Sequence, residues 1–204
     1  MELHEALAQI TEIRTQIARS ETFRGYRSAT VAFSGLLALG GAGVQAAWIP
    51  QPEANLAGYL SLWVGIAAVC LVAVGLELAA RCYLAASPLR RQLTVLAVGQ
   101  FLPCVVAGGL LSGAMALFAQ ESLWMLPGLW AILFSLGVFA SCRLLPRQSY
   151  WAGVYYMAAG VASLALARGD AALSPWAMAG TFGVGQLLTS AILYFTLERA
   201  NGPS

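Results

Sequence analysis

Residues 59–79 read YLSLWVGIAAVCLVAVGLELA, a run of 21 positions in which Glu77 is the only charged side chain. An α-helix needs about 20 apolar residues to cross a hydrocarbon core of about 30 Å, so this run has the length and character of a membrane crossing. It is bounded by Glu53 on one side and Arg81 on the other. Five further runs share its character: Ala29–Ile49, Leu93–Ala119, Leu123–Leu144, Tyr150–Ala167 and Pro175–Leu197. The fold class expected is therefore all-α: a polytopic membrane protein with six transmembrane helices arranged as three hairpins.

Composition agrees. Only 10% of the 204 residues are charged and 59% are hydrophobic, whereas soluble domains carry roughly 25% charge. Mean hydropathy is +0.73. A net charge of +2 is too small to suggest nucleic acid as a partner, since such proteins carry basic patches or stripes. The connections are short and none has room for a separate domain. The chain divides into residues 1–28 before the first crossing, a six-helix domain over 29–199 and a tail over 200–204.

The arginines set the orientation. Arg14, Arg19, Arg24 and Arg27 precede the first run, and Arg81, Arg90 and Arg91 separate the second from the third. Arg143 and Arg147 separate the fourth from the fifth, and Arg199 follows the sixth; Arg168 alone falls on the other side. Because arginine and lysine favour the cytoplasmic loops, both termini are expected in the cytoplasm. Aromatic residues fit this, with Tyr26, Tyr83, Tyr150 and Trp151 at the inner boundary and Trp48, Tyr59, Trp124 and Trp176 at the outer one. The Ala-, Gly- and Arg-rich, lysine-free composition suggests GC-rich bacterial coding, and the location expected is the bacterial inner membrane. A cleavable signal peptide is not expected, because a long mixed-charge segment precedes the first apolar run.

That segment has its own pattern. Leu3, Ala6, Ile10, Ile13 and Ile17 alternate spacings of three and four, with Leu7 beside them, while Glu2, Glu5, Glu12, Arg14 and Arg19 fill the other face. This is the signature of an amphipathic helix. Interfacial helices that bind anionic lipid tend to be rich in Lys and Arg. Its balanced charge favours protein contact instead, which makes Leu3, Leu7, Ile10, Ile13 and Ile17 candidate partner-docking residues.

Helices in lipid associate by close packing of small residues. Ser34, Ala38 and Ala42 in the first run and Gly109 and Gly113 in the third have the four-residue spacing this requires. They are expected to pack helix on helix, within the bundle or between subunits of a homo-oligomer.

Catalytic chemistry finds little to work with. His4 is the only histidine, which excludes bis-histidine haem and multi-histidine metal sites within one chain. Cys70, Cys82, Cys104 and Cys142 are widely spaced, and the only aspartate is Asp170. No phosphate-binding loop, nucleophile elbow or zinc-protease motif occurs. No catalytic residue, metal or cofactor is therefore assigned, and an enzyme is not expected.

The polar residues within the runs are few. Glu77 precedes Arg81 by four positions, a favourable helical pair. Gln100 and Gln186 lie deeper and need partners in lipid, which directs them to the bundle interior. Pro103 interrupts the hydrogen-bond ladder of the third run, and Thr189 adds a hydroxyl one turn from Gln186. Glu77, Gln100, Pro103, Gln186 and Thr189 are the candidate lining of a polar pathway between spans three and six.

The hairpin layout, with glycines from Gly153 through Gly160, resembles the small bacterial six-span proteins of the acid-resistance membrane family. Six spans with both ends inside and Ala38-x-x-x-Ala42 in the first are also similar to the substrate-binding subunits of energy-coupling-factor vitamin transporters. That second resemblance implies docking of a coupling subunit on the first span. The N-terminal helix departs from the first family and the short outer connections depart from the second. Two functions are open to such a chain: a non-enzymatic association or accessory subunit, or a small-solute transporter or transporter subunit.

Overall fold

A computed structural model describes residues 28–84, 88–142, 147–166 and 171–198. Among them every regular element is helical and there is no strand. The N-terminal segment with its candidate docking residues and the tail over 200–204 lie outside the described residues.

The helices are α1 (Ser28–Trp48), α2 (Leu56–Leu84), α3 (Pro88–Phe118), α4 (Leu126–Ser141) and α5 (Ser149–Leu166). A 3₁₀ turn over Gln120–Met125 joins α3 to α4. The last helix, α6, is composite: α over Pro175–Met178, π over Ala179–Val184, α over Gly185–Leu193 and π over Tyr194–Glu198. Local chemistry marks the starts. Asn55 Oδ1 accepts from the Gly58 N–H at 2.9 Å at the head of α2. Ser174 Oγ accepts from the Trp176 N–H, with Pro175 at the first turn of α6, where a missing N–H costs nothing.

Five helical stretches among the described residues are long and apolar enough to cross a membrane: Ser28–Trp48, Leu56–Ala80, Val98–Phe118, Gln120–Ser141 and Pro175–Thr196. The expected fifth run becomes α5, which is not among these five. Its rings at Tyr150, Trp151, Tyr155 and Tyr156 and its glycines at Gly153 and Gly160 dilute its hydropathy.

Packing runs in the order α2, α1, α6, α5, α4, α3, with α2 and α3 touching only sparsely. Two seams are tight. Along α4 and α5, a Cβ on Gly128 would lie 2.8 Å from the Gly160 carbonyl, and one on Gly160 would lie 2.7 Å from the Gly128 carbonyl. Only glycine permits that approach, so the backbones themselves make the contact. Along α1 and α6, Gly35 faces the Gly183 carbonyl, where an added Cβ would sit at 3.1 Å. Ser34, Ala38 and Ala42 are buried on the same helix. The Ser190 hydroxyl ties this seam by donating to the Ser28 carbonyl at 2.7 Å. Between α3 and α4 the link is polar: Trp130 Nε1 donates to Ser112 Oγ at 2.8 Å, and that hydroxyl donates to the Gly108 carbonyl.

Gly109 and Gly113 sit differently from the α1 residues. Among the described residues nothing lies within 4 Å of a Cβ placed on either, so the four-residue ridge of α3 opens away from them.

Candidate functional site

The connections over 49–55, 119–125 and 171–174 meet at one end of the bundle, called here the acidic end because Glu53 and Glu121 stand on it. Beneath them lies a fully buried polar side chain. Gln45, on the last turns of α1, is 0% exposed. Its Nε2 donates to the Leu173 carbonyl at 2.7 Å, and its Oε1 accepts from Trp63 Nε1 at 2.8 Å. One amide thus joins α1, α2 and the segment leading into α6. In a bilayer no water competes for such bonds, and unpaired groups are costly, which makes the three-way link a strong fixture.

Tyr59 stands one turn of α2 closer to the acidic end, its ring centroid 6.5 Å from that of Trp63. It is 1% exposed, and its hydroxyl has no hydrogen-bond partner. Tyr59, Trp63 and Leu173 belong to one apolar cluster with Ala38, Ala42 and Met178, and Leu56 and Leu60 pack against it. Above this cluster a cleft of about 190 Å³ opens between the three connections. Leu56, Leu123, Trp124 and Leu173 line it, and its polar edge is Glu53, Gln120 and Glu121.

Midway along the bundle, rings from four helices form a continuous layer. Phe101 of α3 meets Phe134 of α4 edge-on at 5.1 Å. Phe134 stacks obliquely on Tyr156 of α5 at 4.6 Å and faces Phe182 of α6 at 6.1 Å. Tyr156 is fully buried against Gly185, where a Cβ would come within 2.6 Å of its ring. Beside it the Tyr155 hydroxyl donates to the Gly180 carbonyl at 2.5 Å, inside the first π segment of α6. A π turn displaces carbonyls from the regular ladder, and this hydroxyl occupies one of them.

The residues expected to line a polar pathway are not gathered into one cluster. Pro103 lies within the continuous helix α3 and is exposed. Gln186 lies at the α1–α6 seam, its Cβ 3.2 Å from where a Gly35 Cβ would stand. Thr189 Oγ1 donates to the Gly185 carbonyl of its own helix at 2.8 Å. Gln100 is half-buried, and its Oε1 is buried without a partner. Glu77 is half-buried on α2; the side chain of Arg81 lies outside the described residues. Between α3 and α6 stand the rings of Phe101, Phe134, Tyr156 and Phe182.

The sequence pattern does not single out Gln45, Trp63 or Leu173, and it marks Tyr59 only as an aromatic of the outer boundary. For Gln45 a signal was present, because the criterion that selected Gln100 and Gln186, an amide inside an apolar run, applies equally to it.

The chain matches no family model, no curated protein and no solved structure.

Proposed function

We propose that this chain is an integral protein of a bacterial inner membrane, with six crossings and both ends cytoplasmic, that acts without catalysis by associating with other proteins. Support for a sixth crossing comes from connectivity. α4 runs away from the acidic end and α6 starts from it, since the Gln120–Met125 turn and Leu173 share the cleft there. The ring of Tyr150, at the head of α5, meets Phe139, in the last turn of α4, at 5.2 Å. The 18 residues of α5 must then cover the return, and at about 1.5 Å per residue they are about 27 Å long. Its rings and glycines are spent on neighbours, because α5 lies between α4 and α6 and has little need to be apolar all round.

One observation carries the association reading. The spans of α1, α4 and α6 are 39%, 44% and 39% buried within the chain, whereas those of α2 and α3 are 11% and 6%. The apolar effect does not drive helices together inside lipid; packing of small residues and polar contacts does. α2 and α3 are the helices least held by the described residues, and no described atom lies within 4 Å of a Cβ placed on Gly65, Gly75, Gly99, Gly109 or Gly113. Together with the amphipathic pattern of residues 2–20, this favours an accessory subunit that docks through the N-terminal segment and the α2–α3 side. The transporter reading has less support, because aromatic rings fill the interior where its pathway was placed.

The test is recovery of partners from membranes by the full chain, by a variant lacking residues 2–20, and by Gly109→Leu/Gly113→Leu. Loss of co-purifying proteins in either variant, with the bundle still folded, is the expected result. An unchanged set in both rejects association as the function.

A further inference from the structure

We propose that the molecule meets two thicknesses of bilayer: its α5 side takes phospholipids with short acyl chains, and its α2–α3 side takes phospholipids with long ones. This rests on the sixth crossing, made by α5, and adds to it the class of lipid that each side binds.

The apolar lengths of the two sides differ. On α5 the outward apolar side chains run from Trp151, 66% exposed, to Leu166, 82% exposed. Tyr150 and Trp151 set headgroup level at one end, where amphipathic rings collect. At the other end the sequence turns to Arg168 and Asp170, charges that are costly in hydrocarbon. Residues 151–166 make about 24 Å of helix at about 1.5 Å per residue. On α3 the exposed apolar side chains run from Val95, 63% exposed, to Phe118, 85% exposed. Residues 95–118 make about 36 Å. The apolar span of α2, Leu56–Ala80, has 25 residues and is about 37 Å long. Glu77 falls near its foot and is half-buried, while Leu76, Ala79 and Ala80 around it are exposed. Against a hydrocarbon core of about 30 Å, α5 is short by about 6 Å, and α2 and α3 are long by about as much.

The second observation is how the helices are tied. A long helix on its own relieves mismatch by tilting. Here α5 is flanked by α4 and α6, and α2 and α3 stand on the other side of the bundle. α5 is held to α4 by the approach of Gly128 and Gly160, and to α6 by the Tyr155 hydroxyl on the Gly180 carbonyl. α2 is tied to α1 through Trp63 and Gln45, and α3 to α4 through Ser112 and Trp130. Helices joined in this way tilt as one body. A tilt that brings α2 and α3 within the hydrocarbon core shortens the reach of α5 further, so tilting cannot satisfy both sides. The bilayer adjusts instead, thinning beside α5 and thickening beside α2 and α3. Short chains relieve the first distortion and long chains the second. The same mismatch gives α2 and α3 a reason to exchange lipid for protein, since a stretch at odds with the bilayer favours helix association.

The experiment reads lipid preference at each side of the full-length protein, in nanodiscs holding one chain each. Cys70, Cys82, Cys104 and Cys142 are replaced, and bimane is attached at one exposed position. Val161→Cys and Ala158→Cys report from α5, Val72→Cys from α2 and Val106→Cys from α3. The discs contain a phosphatidylcholine with a nitroxide on its acyl chain, which quenches bimane on contact. It is diluted with short-chain dimyristoleoyl or long-chain dierucoyl phosphatidylcholine, so the headgroup stays constant. At 158 and 161 the short-chain lipid is expected to displace the quencher about two- to threefold better than the long-chain one. At 72 and 106 the order should reverse. One order at all four positions, or no dependence on chain length at any, would overturn the proposal while leaving the six crossings standing. No quenching at 158 and 161 with either lipid would overturn it by another route, because α5 would then lie outside the hydrocarbon.

Discussion

Gln45 shows how much a single side chain fixes. Its amide satisfies the Trp63 indole and the Leu173 carbonyl together, so replacing it with leucine keeps the volume but orphans two buried groups. Each such group costs about 1–3 kcal/mol in water-soluble proteins and somewhat less in membranes. Gln45→Leu is expected to destabilise the bundle by about 2–4 kcal/mol in a denaturant titration in mixed micelles; a change below about 0.5 kcal/mol would show that the link carries little. Glycines of one chemistry divide just as sharply by location. Gly160→Leu would drive a side chain into the Gly128 carbonyl and Ile132, whereas Gly109→Leu meets nothing within 4 Å. The first should lose most folded protein on size-exclusion chromatography and the second none, with any effect of Gly109→Leu confined to association. Spacing alone put Ser34, Ala38, Ala42, Gly109 and Gly113 in one class. The periodicity of a sequence says which residues share a helix face, but not which face has a neighbour.

At the level of elements, hydropathy was legible because length and apolar content depend on the helix itself. Registers and bulges were not, because they depend on what lies alongside. The first π segment of α6 sits in sequence so rich in Ala, Gly and Thr that no apolar stripe marks an extra residue per turn. The Tyr155 hydroxyl on Gly180 is the visible support of the first segment. Tyr155→Phe removes it without removing the ring, and is expected to cost about 1 kcal/mol. Amide exchange should quicken over 179–184 and stay unchanged in α1 and α4. Uniform exchange across the chain would mean that the π turn stands without the hydroxyl. The third run had a similar limit. It was expected over Leu93–Ala119, and the helix starts at Pro88, where polar residues continue the backbone pattern without being apolar.

For the whole molecule, the all-helical class and the apolar spans were legible in composition and run length. The assembly was not. The acidic-end cleft is built by residues from three separate connections, and the ring layer by four helices, so neither has a local signature. Chain order gave no hint that α2 and α3 would be left so open while α1 closes on α6. The central claim is that the chain crosses a bilayer six times, and its least secure crossing is α5, the helix whose hydropathy is lowered by rings and glycines. Single cysteines at positions 121, 148 and 171, in a background with Cys70, Cys82, Cys104 and Cys142 replaced, test it with a membrane-impermeant maleimide on intact spheroplasts. The account predicts that 121 and 171 label from outside and that 148 labels only after the membrane is opened. Labelling of 121 and 171 from opposite sides, or of 148 together with 121, would contradict it.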